Sequence, residues 1–212
     1  MKTLTIIVVV LLLIGAVLLI GDRVVTSMAG ERAAERVSEE LDAPTEVTLH
    51  GWPVALRLLV GTIERAEVTA TDVPLEEGGT LDRLDVTLHD IDLGIGDLQN
   101  PPDGLPPSRD GSFTASISGD ITWALTSVPS MLASLAITDD TVQLQTPVAV
   151  LSADLVVHSD RLLFEPNVPL GVVFRGDVEL DISDQPGRPV LETADIEDGT
   201  LVLAGRFEEL DQ

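Results

Sequence analysis

The chain reads as an α+β protein: an N-terminal transmembrane helix, then a curved antiparallel β-sheet wrapping a long amphipathic helix, with one or two short helices beside it. Three observations predict this class. An apolar run opens the chain, a stripe of period 3.6 follows it, and from Val68 onward apolar and polar residues alternate with period two through most of the remaining length.

The opening run extends from Leu4 to Ile20, interrupted only by Thr5 among polar residues and preceded by Lys2. Its length is at the short edge of what spans a hydrocarbon core as a helix and exceeds the usual hydrophobic region of a cleaved signal. Residues 1–22 are therefore expected to be a retained anchor. Cleavage stays open as the alternative, because Ser27-Met28-Ala29 is a small-x-small site, although it lies well beyond the run. Lys2 precedes the run and Arg23, Arg32 and Arg36 follow it, so positive charge alone does not orient the chain. The rest, residues 23–212, has the size of one domain of about 190 residues.

Val25, Ala29, Ala33, Val37 and Leu41 recur at every fourth position, with Glu31, Arg32, Glu35, Arg36, Glu39 and Glu40 on the other faces. This spacing predicts an amphipathic helix over 24–41, with Pro44 just beyond its end. Val47 and Leu49 then alternate with polar neighbours. Pro53 can open a short helix carrying Val54, Leu56, Leu58, Leu59 and Val60, and Gly61 can close it.

Strands follow at Val68–Ala70, Leu84–Leu88 and Phe113–Ile121, each alternating with Thr, Ser or Asp. The phase slips between Leu88 and Ile91, for which a β-bulge at His89-Asp90 is expected. Pro101 to Pro107 is rich in Pro and Gly and reads as an exposed loop. Trp123 to Leu135 lacks strand alternation, and Leu125, Val128, Met131 and Leu132 fit a second short helix interrupted by Pro129. Strand patterns resume at Val142–Leu144, Val150–Val157, Leu162–Phe164, Val178–Ile182 and Leu201–Leu203.

Composition excludes several functions. A net charge of −24 with a single lysine provides no basic track for nucleic acid and no cluster to hold anionic lipid by charge alone. No cysteine is available as a nucleophile, and no Gly-x-Ser-x-Gly, Ser-x-x-Lys or phosphate-cradling loop is present. His50, His89 and His158 stand singly, without the spacing of a metal site, so neither a catalytic set, a metal nor a cofactor is expected. With 36 acidic residues, adjacent carboxylates such as Asp139-Asp140 are ordinary solvated surface. Aromatic residues make up 3% of the chain, so its interior is lined by Val, Leu, Ile and Ala. Such walls exclude water and hold methylenes, and they lack the stacking planes that select sugars or bases. An apolar-lined curved sheet with amphipathic helices at a membrane points to the handling of lipid.

Gly51-Trp52-Pro53-Val54-Ala55-Leu56-Arg57-Leu58-Leu59-Val60-Gly61, followed by Ala66 to Leu75, resembles the signature of the actinobacterial LmeA-like phospholipid-binding family. The likeness continues through Leu81-x-x-Leu84-x-Val86-x-Leu88-x-x-Ile91, Ser118-Gly119-x-Ile121 and Asp198-Gly199-x-Leu201-x-Leu203-x-Gly205. Trp123-Ala124-Leu125-Thr126 departs from the Tyr-Ala-Asp-Leu with which that helix often starts in relatives. The resemblance implies a fold similar to tubular lipid-binding domains and a single-pass membrane protein whose domain lies on the extracytoplasmic side. It also implies a part in maintaining envelope lipids and mannose-bearing glycolipids.

On this reading the partners are a phospholipid or glycolipid and the cytoplasmic membrane. The expected acyl groove is lined by Trp52, Leu56, Leu59, Val60, Trp123, Leu125, Val128, Met131 and Leu132, with Arg57 as the candidate phosphate contact. The competing reading is a non-enzymatic envelope scaffold that binds another protein along a sheet edge.

Overall fold

The computed structural model describes residues 24–51, 53–75, 79–92, 108–121, 134–138, 140–147, 149–159, 161–167, 178–181 and 188–207. Residues 24–41 are helical and form α1. Its sheltered positions, among them Val25, Ala29, Gly30, Ala33, Val37 and Leu41, recur once per turn, and the charged positions between them are exposed. Gly30 allows α1 to lie directly on the sheet, since a Cβ there would stand 2.8 Å from the Val47 carbonyl oxygen.

After β1 (Thr45–His50) comes α2 (Val54–Val60), entered from Pro53 in extended conformation and ended by Gly61 at φ 90°. The Gly61 amide donates to the Arg57 carbonyl at 2.9 Å, the expected left-handed stop. Then follow β2 (Ile63–Pro74), β3 (Thr80–Ile91) and β4 (Ser108–Ser118). The chain continues through β5 (Ser134–Thr138), β6 (Thr141–Gln145), β7 (Val150–Val157), β8 (Arg161–Pro166) and β9 (Val178–Asp181). It ends in β10 (Pro189–Glu197) and β11 (Thr200–Phe207).

Where one curved sheet was expected, there are two, both wholly antiparallel. One has six strands in the order β1-β2-β3-β4-β11-β10, and the other is a five-stranded meander, β5 to β9. The sheets are stitched at a corner beyond β4. There the Ile121 amide donates to the Leu135 carbonyl at 2.8 Å and the Ile137 amide to the Gly119 carbonyl at 2.9 Å. A second stitch runs from the Leu191 amide to the Ser159 carbonyl, 3.0 Å. Apolar side chains of β4, β10 and β11 meet those of β5 to β8 in one buried core that includes Ile117, Leu135, Leu144, Leu162 and Leu201.

Three local expectations change. Ser134 and Leu135 belong to β5, not to a helix, and Leu135 is fully buried opposite Leu144 in the inter-sheet core. The rest of the expected second helix, 123–133, lies outside the described residues. No residue is inserted at His89-Asp90, because the β2–β3 and β3–β4 registers run unchanged on both sides of it. Instead Asp90 adopts φ 48°, a left-handed state that Asp tolerates, and this rotates Ile91 into the interior alongside Leu88. β10 went unpredicted; its register shifts between Leu191 and Thr193, which breaks the alternation that would have revealed it.

Candidate functional site

The register of the six-stranded sheet sets its residues in cross-strand rows. Leu49 stands opposite Ala66, which stands opposite Leu88. One step along, Val47, Val68, Val86, Phe113 and Gly205 form a continuous row over five strands. One step further, Ala70, Leu84, Ala115 and Leu203 form a third. Side chains in such rows share one face, so these three make a single apolar surface.

Burial along this surface is uneven. Leu49, Ala66 and Leu88 are closed over by Ala29 of α1, Val54 of α2, Ile63 and Ile91. Ala70 is covered, together with Ala43 and Val73, beside Leu41 at the other end of α1. Between the two covered zones Val47, Val68, Val86 and Phe113 are each partly buried, Val47 and Val86 against the first cluster and Phe113 against the inter-sheet core. At about 4.8 Å per strand this strip crosses about 14 Å of sheet. Small side chains border it at Ala66, Ala70 and Ala115. Gly205 ends it, the Phe113 ring lying where a Cβ would approach to 2.8 Å, and Phe207 leans on that ring at 5.5 Å between centroids.

The opposite face is polar. Thr69 Oγ1 donates to Asp85 Oδ1 at 2.7 Å, and Arg83 grips the same carboxylate with Nε to Oδ2 at 2.6 Å and Nη2 to Oδ1 at 2.8 Å. The Arg83 hydrogen bonds hold the Asp85 carboxyl below the usual carboxylate range; partial burial opposes this and the Thr69 bond assists it. Nearer the α2 end, Glu67 receives Arg65 Nη2 at 2.8 Å and stands 3.0 Å from His50 Nε2. His89 pairs across the strands with Arg65, so two histidines that stand singly in the sequence share a row with it. Among the described residues no three His, Cys, Asp or Glu side chains converge to hold a metal.

Of the residues expected at the site, Trp52, Trp123, Leu125, Val128, Met131 and Leu132 lie outside the described residues. Leu56 is a residue of α2. Leu59 and Val60, at the end of that helix, are 66% and 79% exposed. Arg57 projects beside them and pairs with Glu64, Nη2 to Oε2 at 3.2 Å. The strip of Val47, Val68, Val86 and Phe113 was not among the expected site residues. Its signal was the alternation in four strands, which reveals a shared apolar face but not which part of it the helices leave only partly covered.

The apolar run Leu4–Ile20 also lies outside the described residues, and among those described no helix is long and apolar enough to cross a membrane. A comparison with protein families finds that the model of one family, LmeA-like phospholipid-binding, matches residues 20–206. Neither curated proteins nor solved structures yield a match.

Proposed function

This chain belongs to the LmeA-like phospholipid-binding family, and we propose that it holds the acyl chains of a phospholipid or glycolipid against the partly open strip of its six-stranded sheet. One observation carries this reading: Val47, Val68, Val86 and Phe113 form an unbroken apolar row that the flanking α1 and α2 contacts leave partly exposed. Each methylene laid on such a surface and removed from water gains about 0.8 kcal/mol, so affinity comes from chain length more than from polar contacts. No proton transfer or bond cleavage is needed for this function.

In the same reading the run Leu4–Ile20 is a retained single-pass anchor in the cytoplasmic membrane, with the domain on the envelope side. The protein then supports the upkeep of envelope lipids or lipoglycans. Arg57 is the proposed phosphate contact. Its guanidinium is half-exposed and already bound to a carboxylate, and a phosphate would take the place of Glu64. The test is native mass spectrometry of the full chain, released from detergent in the gas phase, together with lipid analysis of its organic extract. One phospholipid or glycolipid per chain is the expected result. A bare mass, unchanged after incubation with envelope lipids, would remove the reading and favour a protein-binding scaffold.

A further inference from the structure

We propose that the end of the molecule built from the start of α1 and the close of α2 is a bilayer-docking surface, with Val24, Met28, Leu59 and Val60 seated among the headgroups and upper acyl chains. This rests on the reading of Leu4–Ile20 as a membrane tether.

Among the described residues five large hydrophobic side chains are exposed, and four of them are these: Val24 at 53%, Met28 at 50%, Leu59 at 66% and Val60 at 79%. The packing places them at one end. Val25 and Ala29 of α1 share a cluster with Val54 of α2, with Ile63 at the start of β2 and with Ile91 at the end of β3. Leu41, at the other end of α1, packs instead with Ala70, Val73 and Leu81 at the far end of the same strands. Val24 and Met28 are one turn apart on the exposed side of α1, next to Val25 and Ala29 on its sheltered side.

Two further observations point to lipid as the occupant. Only Gly21, Asp22 and Arg23 separate the apolar run from Val24, so a tethered chain presents this end to the bilayer before any other. In a molecule of net charge −24, two carboxylates near α2 are paired with cations, Glu64 with Arg57 and Glu67 with Arg65, which lowers the repulsion from anionic headgroups on that side, while Glu31 of α1 accepts from Ser27. An apolar edge of this kind embeds about 5–10 Å, at the boundary between headgroups and acyl chains.

The chain has no cysteine, so Val60→Cys and Val150→Cys each give one labelling site in the full-length protein. Val150, 62% exposed at the start of β7, is the matched control. Each variant carries a polarity-sensitive fluorophore and is reconstituted in vesicles of equal parts phosphatidylglycerol and phosphatidylethanolamine, with or without lipid bearing a shallow nitroxide quencher. The expected result is that both variants float with the vesicles, that the label at 60 shifts to the blue and is quenched, and that the label at 150 does neither. Adding Leu59→Glu to the Val60→Cys protein should restore the unquenched emission. A floating protein whose label at 60 behaves like that at 150 overturns the docking surface and leaves the tether standing. A blue shift without nitroxide quenching overturns it in favour of a protein occupant, and a chain that fails to float overturns tether and docking together.

Discussion

Phe113 and Gly205 stand directly opposite each other on β4 and β11, and the Phe113 ring occupies the space that a side chain at 205 would need. The close approach also involves the carbonyl oxygen of Val190, which a Cβ at 205 would meet. Gly205→Ala therefore has to move both the ring and the backbone at Val190. Its expected cost is about 1–3 kcal/mol, the usual range for overpacking, read as a lower midpoint in urea unfolding. An unchanged midpoint would mean that the ring and the β10 backbone both shift aside without cost.

Val86 lies in the middle of the partly open strip, one strand from Phe113. Val86→Asp brings a carboxylate to the surface proposed to hold methylenes, and desolvating that charge is expected to lower bound lipid about tenfold or more. Val86→Leu keeps the surface apolar and should retain lipid. The check is lipid stoichiometry by native mass spectrometry on variants with unaltered far-ultraviolet circular dichroism; full retention in Val86→Asp would place the acyl chain elsewhere.

Leu144 is fully buried between the sheets, on β6 of the five-stranded sheet, in the core against which Phe113 of the strip packs. Leu144→Ala should cost about 2–5 kcal/mol through lost burial and the cavity it leaves, with lipid stoichiometry unchanged at temperatures where the protein stays folded. A parallel loss of lipid would show that the inter-sheet core and the strip act as one site.

The Arg83 bonds lower the pKa of Asp85 in the folded protein, so this carboxylate adds stability at pH values above its unfolded pKa of about 3.9. That contribution declines as the pH falls from there through the lowered folded value. Asp85→Asn should therefore be less stable than the parent at neutral pH, and the gap should narrow on acidification below about pH 4. Urea melts at a series of pH values measure it, and a gap that stayed constant to the acid limit would exclude the ion pair as its source. The exposure of both side chains keeps the effect small.

Much of this architecture is legible from residue order because it follows from periodicities. The stripe Val25, Ala29, Ala33, Val37, Leu41 and the alternation in β2, β3, β4, β6, β7 and β8 report directly on which side of each element is sheltered. The features that escape are those in which tertiary pairing overrides local pattern. Leu135 follows a segment with helix-like spacing yet is drawn into β5 by its partner Leu144, and Leu191 and Ala194 lose their alternation to a shifted register. The left-handed Asp90 changes the facing of Ile91 without inserting a residue, which the sequence alone cannot distinguish from a bulge. For the site, the apolar face could be foreseen strand by strand. Which row of it stays partly open depends on where α1 and α2 come to rest.

The five-stranded meander is inserted between β4 and β11, and this order of elements governs how the chain can mature. Strands β1 to β4 are neighbours in sequence and can assemble as they emerge, but β4 waits for Thr200–Phe207 before its second edge is paired. Contacts that close so much intervening chain form late. Until they form, Ala115 and Ile117 lack Leu203 and Leu201 opposite them, and a bare strand edge is offered to any neighbouring polypeptide. The hairpin of β10 and β11 is thus the latch of the molecule, and a chain that stopped short of it would be left with the six-stranded sheet unfinished.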